Sequence, residues 1–525
     1  MMKESENIKY LLKGDLSGIQ DFIFSIPSKG AAKTLKVRSF FIQAITQLCI
    51  SKLMDDNKLE QRISDRGGSF YLGMDNEIDN IESVQAQLNK ELFELGLFLT
   101  LSQTNFDTWS SANSRLSEKE EKQKFTKYAH TPESFEAFKR ISPIDINCWK
   151  NFANKLSDTK ARYTITKNTS DILTTDSISL FGYTLTLSAN GDNNKTSFNE
   201  VPVWRKDNIY FQKKDEYPIK KWELESAQDN ADENDAIREG CPINLSHLGL
   251  EARYRTGTDR IAAIALDIDN LGVFFKDKDI EEMKRSEESL KSFFIDKIGD
   301  IWEKEKFNDE YHYRDNILIL FSGGDDCFIL GAWDACIYFL SLLHKEFEIF
   351  IQHKKLSVNS RPLSFSASIL ITDASFPMIR LGDMTEDLLS IAKKGNKNSV
   401  CLFEQKFTWH EYNDIISIAK TLRDLIVNKG ESKALVQKIA LSAKGYKKLI
   451  MDIKRTKPLS MEKVWNLTWF ILRGTKKENR EEVDDKIVRK YHEAVIKALT
   501  DKRYSNALVY PFAARITELL IRNKD

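Results

Sequence analysis

The sequence has few of the residues that build disulfide frameworks or metal-stapled folds. Its six cysteines are scattered over 525 residues and no two form a Cys-x-x-Cys pair, so neither disulfides nor a structural zinc site is expected. No apolar run approaches the roughly 20 residues that span a bilayer, and basic and acidic side chains balance at 78 each. These absences predict a cytoplasmic protein without a membrane segment, and they argue against broad, charge-driven binding of nucleic acid.

Histidine is also scarce. None of the seven histidines is followed by aspartate, and no group of them has metal-ligand spacing. A metal centre built on histidine is therefore not expected.

The feature that carries most information is an acidic hairpin at residues 317–330. Two apolar runs of strand length flank Gly323, Gly324, Asp325 and Asp326. Adjacent carboxylates at a hairpin tip repel each other unless a cation, usually Mg²⁺ or Mn²⁺, lies between them. The glycines let a phosphate chain approach the backbone closely. The pattern predicts a site for a metal and a phosphate.

A second acidic group follows the apolar run that starts at Ile261. This run reads as a buried strand that ends in Asp267, Ile268 and Asp269. A carboxylate at the end of a central strand, beside a hairpin with two more, is how a polymerase-type palm holds two metals. We expect Asp267, and the carbonyl of Ile268, to be ligands. For Asp269, metal ligation and a structural role as a hydrogen-bond acceptor are equally plausible.

Two lysines complete the pattern. Residues 363–371 read as a strand, residues 380–394 as a helix and Ser399–Phe403 as another strand, with Lys393 and Lys397 around the turn between the last two. Both lysines can reach a triphosphate, although lysines at a helix end often only complement its dipole. The order of these elements predicts a ferredoxin-like βαββαβ palm.

Further motifs support a family resemblance. Residues 14–41, which open Gly-Asp-Leu-Ser-Gly-Ile-Gln, resemble the start of the first palm in the large subunit of type III CRISPR effector complexes, in the Csm-type branch. Asp65–Leu72 resembles the degenerate hairpin of that palm, which lacks metal carboxylates, and Glu120–Phe125 its charged linker. The Asp-Ile-Asp-Asn-Leu-Gly run and the Gly-Gly-Asp-Asp hairpin resemble the active second palm.

The resemblance implies an α+β fold with two ferredoxin-like palms. We expect a degenerate first palm at 1–110, a mixed helical and β linker domain without zinc at 111–250, a catalytic second palm at 251–405 and a helical bundle at 406–525.

The implied function is conversion of ATP into a cyclic oligoadenylate, gated by target RNA and supported by two Mg²⁺ or Mn²⁺ ions. The implied partners are the repeat-handle-binding and backbone subunits of the complex, the guide crRNA and the target RNA. Alternatives are AMP transfer from ATP to S-adenosylmethionine, a stand-alone dinucleotide cyclase and a non-catalytic scaffold.

The expected site residues fall into three groups. Catalytic groups are Asp267, Asp325 and Asp326, and metal ligands are these three with Ile268. The expected ATP contacts come from both palms: Gly67, Gly68, Ser69, Asn270, Leu271, Ser322, Gly323, Gly324, Lys393 and Lys397.

The sequence differs from this family in two respects, and it contains one candidate RNA-binding surface. Relatives often carry an N-terminal His-Asp nuclease domain and a four-cysteine zinc site. Here the first palm begins within ten residues, so we expect neither cleavage of single-stranded DNA nor zinc. A basic loop with Lys29, Lys33, Lys36 and Arg38 is either a local RNA-binding patch or a solvated helix face.

Overall fold

The chain was analysed as a computed structural model. The structure describes residues 8–26, 31–57, 61–125, 146–159, 161–168, 171–191, 202–203, 205–206, 208, 239–240, 243–276, 278–323, 325–441, 471–500 and 505–522. Gly324, Lys29, Cys241 and His130 lie outside the described residues.

The N-terminal unit is a four-stranded antiparallel sheet with helices in βαββαβ order. Its strands lie in the order β2-β3-β1-β4, which is the ferredoxin-like arrangement. Strand β4 is buried at seven of its eight positions because α3 and α4 both pack on it. The elements are β1 (Tyr10–Ser17), α1 (Ile19–Phe24), α2 (Ala31–Asn57), β2 (Gln61–Arg66), β3 (Ser69–Met74), α3 (Ile81–Phe93), β4 (Phe98–Asn105) and α4 (Trp109–Phe125).

A small mixed region follows. Its three strands lie in the order β5-β7-β6 and pack against α2 of the first unit. The elements are α5 (Ile146–Asp158), β5 (Tyr163–Thr166), β6 (Ser177–Leu180), β7 (Tyr183–Leu187) and α6 (Leu245–Thr256).

The second palm repeats the order of the first and extends it. Its six strands lie in the order β11-β12-β8-β15-β16-β17. Strands β15 and β16 run parallel since α11 crosses between them. The elements before the hairpin are β8 (Ile261–Ile268), α7 (Leu271–Lys276), α8 (Ile280–Lys291), a π-helical turn (Ser292–Lys297), α9 (Ile298–Lys304), β9 (Lys306–Phe307) and β10 (Tyr311–His312). The remaining ones are β11 (Ile317–Gly323), β12 (Asp326–Ala332), α10 (Trp333–Lys354), β13 (Ser357–Val358), β14 (Arg361–Pro362), β15 (Phe365–Thr372), α11 (Met378–Lys393), β16 (Ser399–Leu402) and β17 (Gln405–Thr408).

Helices cover the end of the chain. They are α12 (Trp409–Val427), α13 (Arg480–Val483), α14 (Arg489–Thr500) and α15 (Ser505–Leu520), with a further helix over 434–441. Thr408 and Glu411 form a capping box that begins α12. In the part of the chain that is described, no helix combines the length and apolar character needed to span a membrane.

Strand β8 faces a different core on each side. Ala262, Ile264 and Leu266 pack into one core with the second palm's helices and the C-terminal helices. Ala263 and Ala265 pack into another core with the first palm. This split follows from the two-residue period of a strand, and it explains why the strand is apolar from Ile261 to Leu266. The predicted mixed α+β class is confirmed, and the first palm lies against one face of the second palm's sheet.

Candidate active site

The three predicted carboxylates meet at one edge of the second palm's sheet. Strands β8 and β12 are antiparallel neighbours, and their register places Asp267 directly opposite Asp326. Asp325 lies at the hairpin tip, where its carbonyl accepts a 2.9 Å hydrogen bond from the Ile268 amide. Because paired residues on adjacent strands have Cα atoms about 5 Å apart, the acidic side chains are held close together.

This crowding changes the proton affinity of the site. The pKa of Asp326 is raised well above its usual range, first by loss of hydration and then by Asp325, Asp267 and Glu386. The side chain of Asp326 is nevertheless exposed, so repulsion between the carboxylates contributes more to the raised pKa than burial does. The pKa of Asp267 is also raised, mainly by burial, although Lys393 opposes the rise.

Lys393 is the cation nearest to these carboxylates. It ends α11, and its Nζ lies 2.7 Å from Oδ2 of Asp267 in an ion pair that is about one third exposed. Lys397 also lowers the pKa of Asp267, which places it within electrostatic reach. The structure therefore brings both predicted lysines to the acidic edge.

Asp269 is a structural acceptor in this structure. It is 2% exposed, and its carboxylate accepts 2.8 Å hydrogen bonds from the Ser364 and Ser366 hydroxyls and the Asn398 amide. These bonds tie the end of β8 to the turn that carries Lys397. The second of the two roles considered for Asp269 is the one observed.

Glu386 is a fourth carboxylate that was not expected at the site. It lies on α11, two helical turns before Lys393, and burial and the charge of Asp267 raise its pKa. Its partner is Gln20 in α1 of the first palm. The sequence signal that could have revealed Glu386 is its seven-residue spacing from Lys393, because this spacing puts both side chains on one face of the helix.

The other predicted contacts are placed as follows. The Ser322 hydroxyl is buried and donates to the Phe294 carbonyl at 2.6 Å, so it supports the strand from within. Asn270 is exposed, and its backbone lies in the left-handed region at φ 58°. Its carbonyl accepts the first hydrogen bonds of α7. The Leu271 side chain, by contrast, is packed in the core. Any contact from Leu271 to a nucleotide must therefore come from its backbone. Gly323 ends β11.

The hairpin of the first palm shares its strand register and one backbone hydrogen bond with the catalytic hairpin. Ser69 lies opposite Asp15 in the register where Asp326 lies opposite Asp267. The Leu16 amide donates to the Gly68 carbonyl at 2.8 Å, as the Ile268 amide does to Asp325. The hairpin tip of the first palm thus presents Gly67, Gly68 and Ser69, none of which carries a carboxylate.

The strand carboxylate of the first palm, however, is retained. Asp15 occupies the position that corresponds to Asp267, and it forms a 2.8 Å ion pair with Lys124 of α4. Lys124 and Lys13 both pair with Glu120 as well. Sequence reasoning missed Asp15 because the hairpin motif alone was compared. Lys124 and Lys13 therefore neutralise the acidic position of the first palm.

Two residues of the predicted basic loop have fixed partners within the protein. Lys36 is 3% exposed and its Nζ donates to the Ile319 carbonyl at 2.9 Å. The Arg38 guanidinium is half-buried, bonds the Phe22 and Ser25 carbonyls and stacks on the Phe22 and Trp149 rings. The burial of Lys36 contradicts both the RNA-patch and the solvated-face hypotheses for that residue. For Lys33 and Arg38, which are half-buried, the RNA patch stays a prediction.

The side chains that could bind a metal ion are the histidines, cysteines and carboxylates of the described residues. No group of three or more histidine, cysteine, aspartate or glutamate side chains within the described ranges is arranged to enclose a metal ion. Of the cysteines, Cys49, Cys327, Cys336 and Cys401 are buried free thiols, and Cys148 is half-buried. The carboxylates at the acidic edge suit Mg²⁺ or Mn²⁺, which take only one or two protein carboxylates when substrate phosphates supply further oxygens.

Comparison with known families agrees with this geometry. A family model described as Cas10/Cmr2, second palm domain, matches residues 260–401. A second one, described as Csm1 subunit domain B, matches residues 8–141. Each match covers one of the two palms seen in the structure.

Curated relatives extend over most of the chain. A Cas10/Csm1 single-strand-specific deoxyribonuclease of subtype III-A from Methanocaldococcus jannaschii is 25% identical over 498 residues, with 78% of this chain and 61% of the relative covered. A protein of the same description from Enterococcus italicus is 24% identical, with 81% and 58% covered. The chain is a homologue of the Csm-type Cas10 proteins. It spans about three fifths of the length of these relatives.

Solved structures show that this Csm-type homologue shares its fold with Csm1. The Csm1-Csm4 cassette in complex with pppApApA has a TM-score of 0.67 at 16% identity, with 99% of this chain and 71% of that chain covered. The cassette in complex with cA4 has a TM-score of 0.66 at 16% identity, with 98% and 70% covered.

Proposed function

We propose that the chain is the nucleotidyltransferase of a type III CRISPR effector complex, which joins ATP molecules into a cyclic oligoadenylate when target RNA is bound. The observation that carries the proposal is the convergence of Asp267, Asp325 and Asp326 at the sheet edge. Asp326 lies within electrostatic reach of three other carboxylates, Asp325, Asp267 and Glu386, and such crowding is costly unless a cation joins them.

The paired palms support a reaction between two nucleotides. The second palm holds the donor, with its α-phosphate at the acidic edge. The first palm carries a hairpin of the same geometry without metal carboxylates, which suits an acceptor that needs to be positioned and not activated. Gly67 has open space around it, which would let a phosphate approach the backbone at that tip.

Each side chain at the donor site has a defined task. Asp267, Asp325 and Asp326 would hold Mg²⁺ or Mn²⁺, together with the Ile268 carbonyl. The metal, when bound, supplies Lewis-acid stabilisation of the charge that develops on the phosphates. Lys393 pairs with Asp267 and, with Lys397, is positioned to bind the β- and γ-phosphates. Asp269 holds the turn that presents Lys397.

The known structures of relatives support the substrate and product class. Matching Csm1-Csm4 cassettes were solved in complex with one ATP, AMPPNP, pppApA and cA4. The chain would act with other subunits, since these structures are Csm1-Csm4 assemblies and one belongs to the type III-A Csm interference complex. Guide crRNA and target RNA are the further partners of the proposal.

The decisive experiment removes the hairpin carboxylates. The double variant Asp325→Ala with Asp326→Ala should abolish nucleotide product while the complex still assembles, because the tip carboxylates contribute little to packing. The assay is mass spectrometry of products from ATP with Mg²⁺ or Mn²⁺, using the assembled complex with and without target RNA.

A matched control uses exposed acids of the same palm. Asp383→Ala with Asp387→Ala removes two exposed carboxylates from α11 and should leave the product unchanged. Undiminished product from the hairpin variant would refute the assignment. A product containing S-adenosylmethionine would support the assigned donor site, but it would show that the product is not a cyclic oligoadenylate. That this chain does not cleave single-stranded DNA stays a prediction.

A further inference from the structure

Both palm hairpins carry one extra residue at the same place. In β11, Ile319 pairs with Ile329 and Phe321 with Phe328, which leaves Leu320 as a β-bulge. In the first palm, the register of β2 against β3 shifts in the same way around Ile63. Each extra residue lies three positions before the last residue of its strand. Such bulges bend a strand and re-aim the side chains that follow.

The bulge of the catalytic hairpin is held by the other palm. Lys36 projects from α2 of the first palm, and its Nζ donates to the carbonyls of Ile319 at 2.9 Å and Leu320 at 3.4 Å. The ammonium is deeply buried, and burial lowers the pKa of Lys36 to about 7. Placing an ammonium there has a high desolvation cost, which two carbonyl acceptors at a strand irregularity partly offset.

The bulge of the first palm's hairpin is held in the reverse direction. The Ser64 hydroxyl donates to Oε1 of Glu287 on α8 of the second palm at 2.7 Å. Lys291 of the same helix bonds Oδ1 of Asp65 at 2.9 Å and lies 3.1 Å from Oε1 of Glu287. The first long helix of each palm therefore contacts the opposite palm's hairpin at its bulge or at the residues that follow it directly.

Each hairpin is also fixed within its own palm. Ser322 bonds the Phe294 carbonyl, and Asp65, at the corresponding strand position, accepts a 2.8 Å hydrogen bond from Gln47 of α2. The strand that leads to each tip is thus held from both palms.

From these contacts we infer that Lys36 is a positioning residue, which sets the placement of the catalytic hairpin relative to the first palm and so the alignment of donor and acceptor nucleotides. This inference rests on the proposed function for its consequence in catalysis. Lys36 itself does not touch the acidic edge, because its partners lie three and four residues before Gly323. The reciprocal contacts through Glu287 and Lys291 perform the same task for the acceptor tip.

The test compares Lys36→Met with Lys36→Arg in the assembled complex. Methionine keeps the apolar stem but removes the donor, and arginine retains a donor. We expect Lys36→Met to speed amide hydrogen exchange over residues 317–323 by about tenfold or more, and to lower kcat by about tenfold with KM for ATP within about twofold. Lys36→Arg should recover part of both losses.

A control for general destabilisation is Leu88→Ala on α3. Leu88 is buried in the first palm's core and should lower stability without a change in exchange at 317–323 or in kcat. Equal exchange and kcat in Lys36→Met and the wild type would overturn the inference. The same conclusion would follow if the Leu88 variant reproduced both effects.

Two measures keep the outcome separate from that of the proposed function. The exchange measurement needs no turnover, so a wild-type complex that makes no nucleotide would refute the function while the exchange result still decides the role of Lys36. If Lys36→Met does not fold, Glu287→Gln with Lys291→Met tests the reverse contact, and it must speed exchange over residues 61–66. Unchanged exchange there would refute the reciprocal arrangement.

Discussion

Asp267 and Lys393 show how single residues balance charge at the acidic edge. The Lys393 ammonium lies 2.7 Å from Asp267 and opposes the rise in the pKa of that carboxyl, which burial and Asp269 produce. A lysine placed in this way can stabilise the carboxylate in the free protein and bind phosphate in the substrate complex.

At this scale we predict that Lys393→Ala weakens ATP binding or turnover by about tenfold. A hydrogen bond to a charged group contributes about 1.5–3 kcal/mol, which corresponds to a tenfold effect or more. Isothermal titration with a non-hydrolysable ATP analogue and steady-state kinetics give the two values. Lys394→Ala is the control, since Lys394 is exposed on the same turn. Equal values for both variants would show that Lys393 only completes the helix end.

At the scale of elements, two hairpins of the same geometry differ in the chemistry of their tips. The tip of the first palm depends on glycine, because Gly68 has φ 119° and an added Cβ would lie 2.5 Å from Cδ1 of Ile19. Gly67, next to it, has φ 31° and open space around the same position.

We therefore predict that Gly68→Ala lowers the free energy of unfolding by about 1–3 kcal/mol, and that Gly67→Ala costs about 1 kcal/mol or less. The larger effect has two sources, the strained φ and the shift that the Ile19 side chain must make. Urea denaturation of both variants provides the comparison, and product assays report whether the acceptor palm tolerates the shift. Similar losses from the two substitutions would show that the contact with Ile19 is unimportant.

At the scale of the whole molecule, the cores contain histidines that fold in the neutral form. His247 lies near the start of α6, and His344 of α10 stacks on Trp409 at 4.1 Å between ring centroids. Burial lowers the pKa of each to about 4. Between the ordinary pKa near 6.5 and 4, the unfolded chain binds more protons than the folded one.

Stability should consequently be full above about pH 6.5 and fall as the pH approaches 4, by up to about 3 kcal/mol for each histidine. Thermal unfolding at pH 7 and pH 5 measures the fall. His344→Gln should reduce it, whereas His353→Gln, at an exposed position of the same helix, should leave it unchanged. An equal fall in wild type and His344→Gln would assign the effect to other groups.

Local patterns were sufficient to predict most of the second palm. The hairpin predicted at 317–330 is observed at 317–332, and the helix predicted at 380–394 is observed at Met378–Lys393. The strand predicted to end in Asp267, Ile268 and Asp269 ends at Ile268. Such segments carry their own signal, because strand period, apolar runs and glycine punctuation depend on near neighbours.

Motif and element order were enough to group Asp267, Asp325, Asp326, Lys393 and Lys397 at one edge of the second palm, since both signals are local to the chain. The environments of Asp15, Glu386 and Lys36 depend on the tertiary structure. Their partners are Lys124, Gln20 and the carbonyls of Ile319 and Leu320. Each partner lies on an element distant along the chain, and burial between two palms turns a lysine that reads as solvated into an interior hydrogen-bond donor.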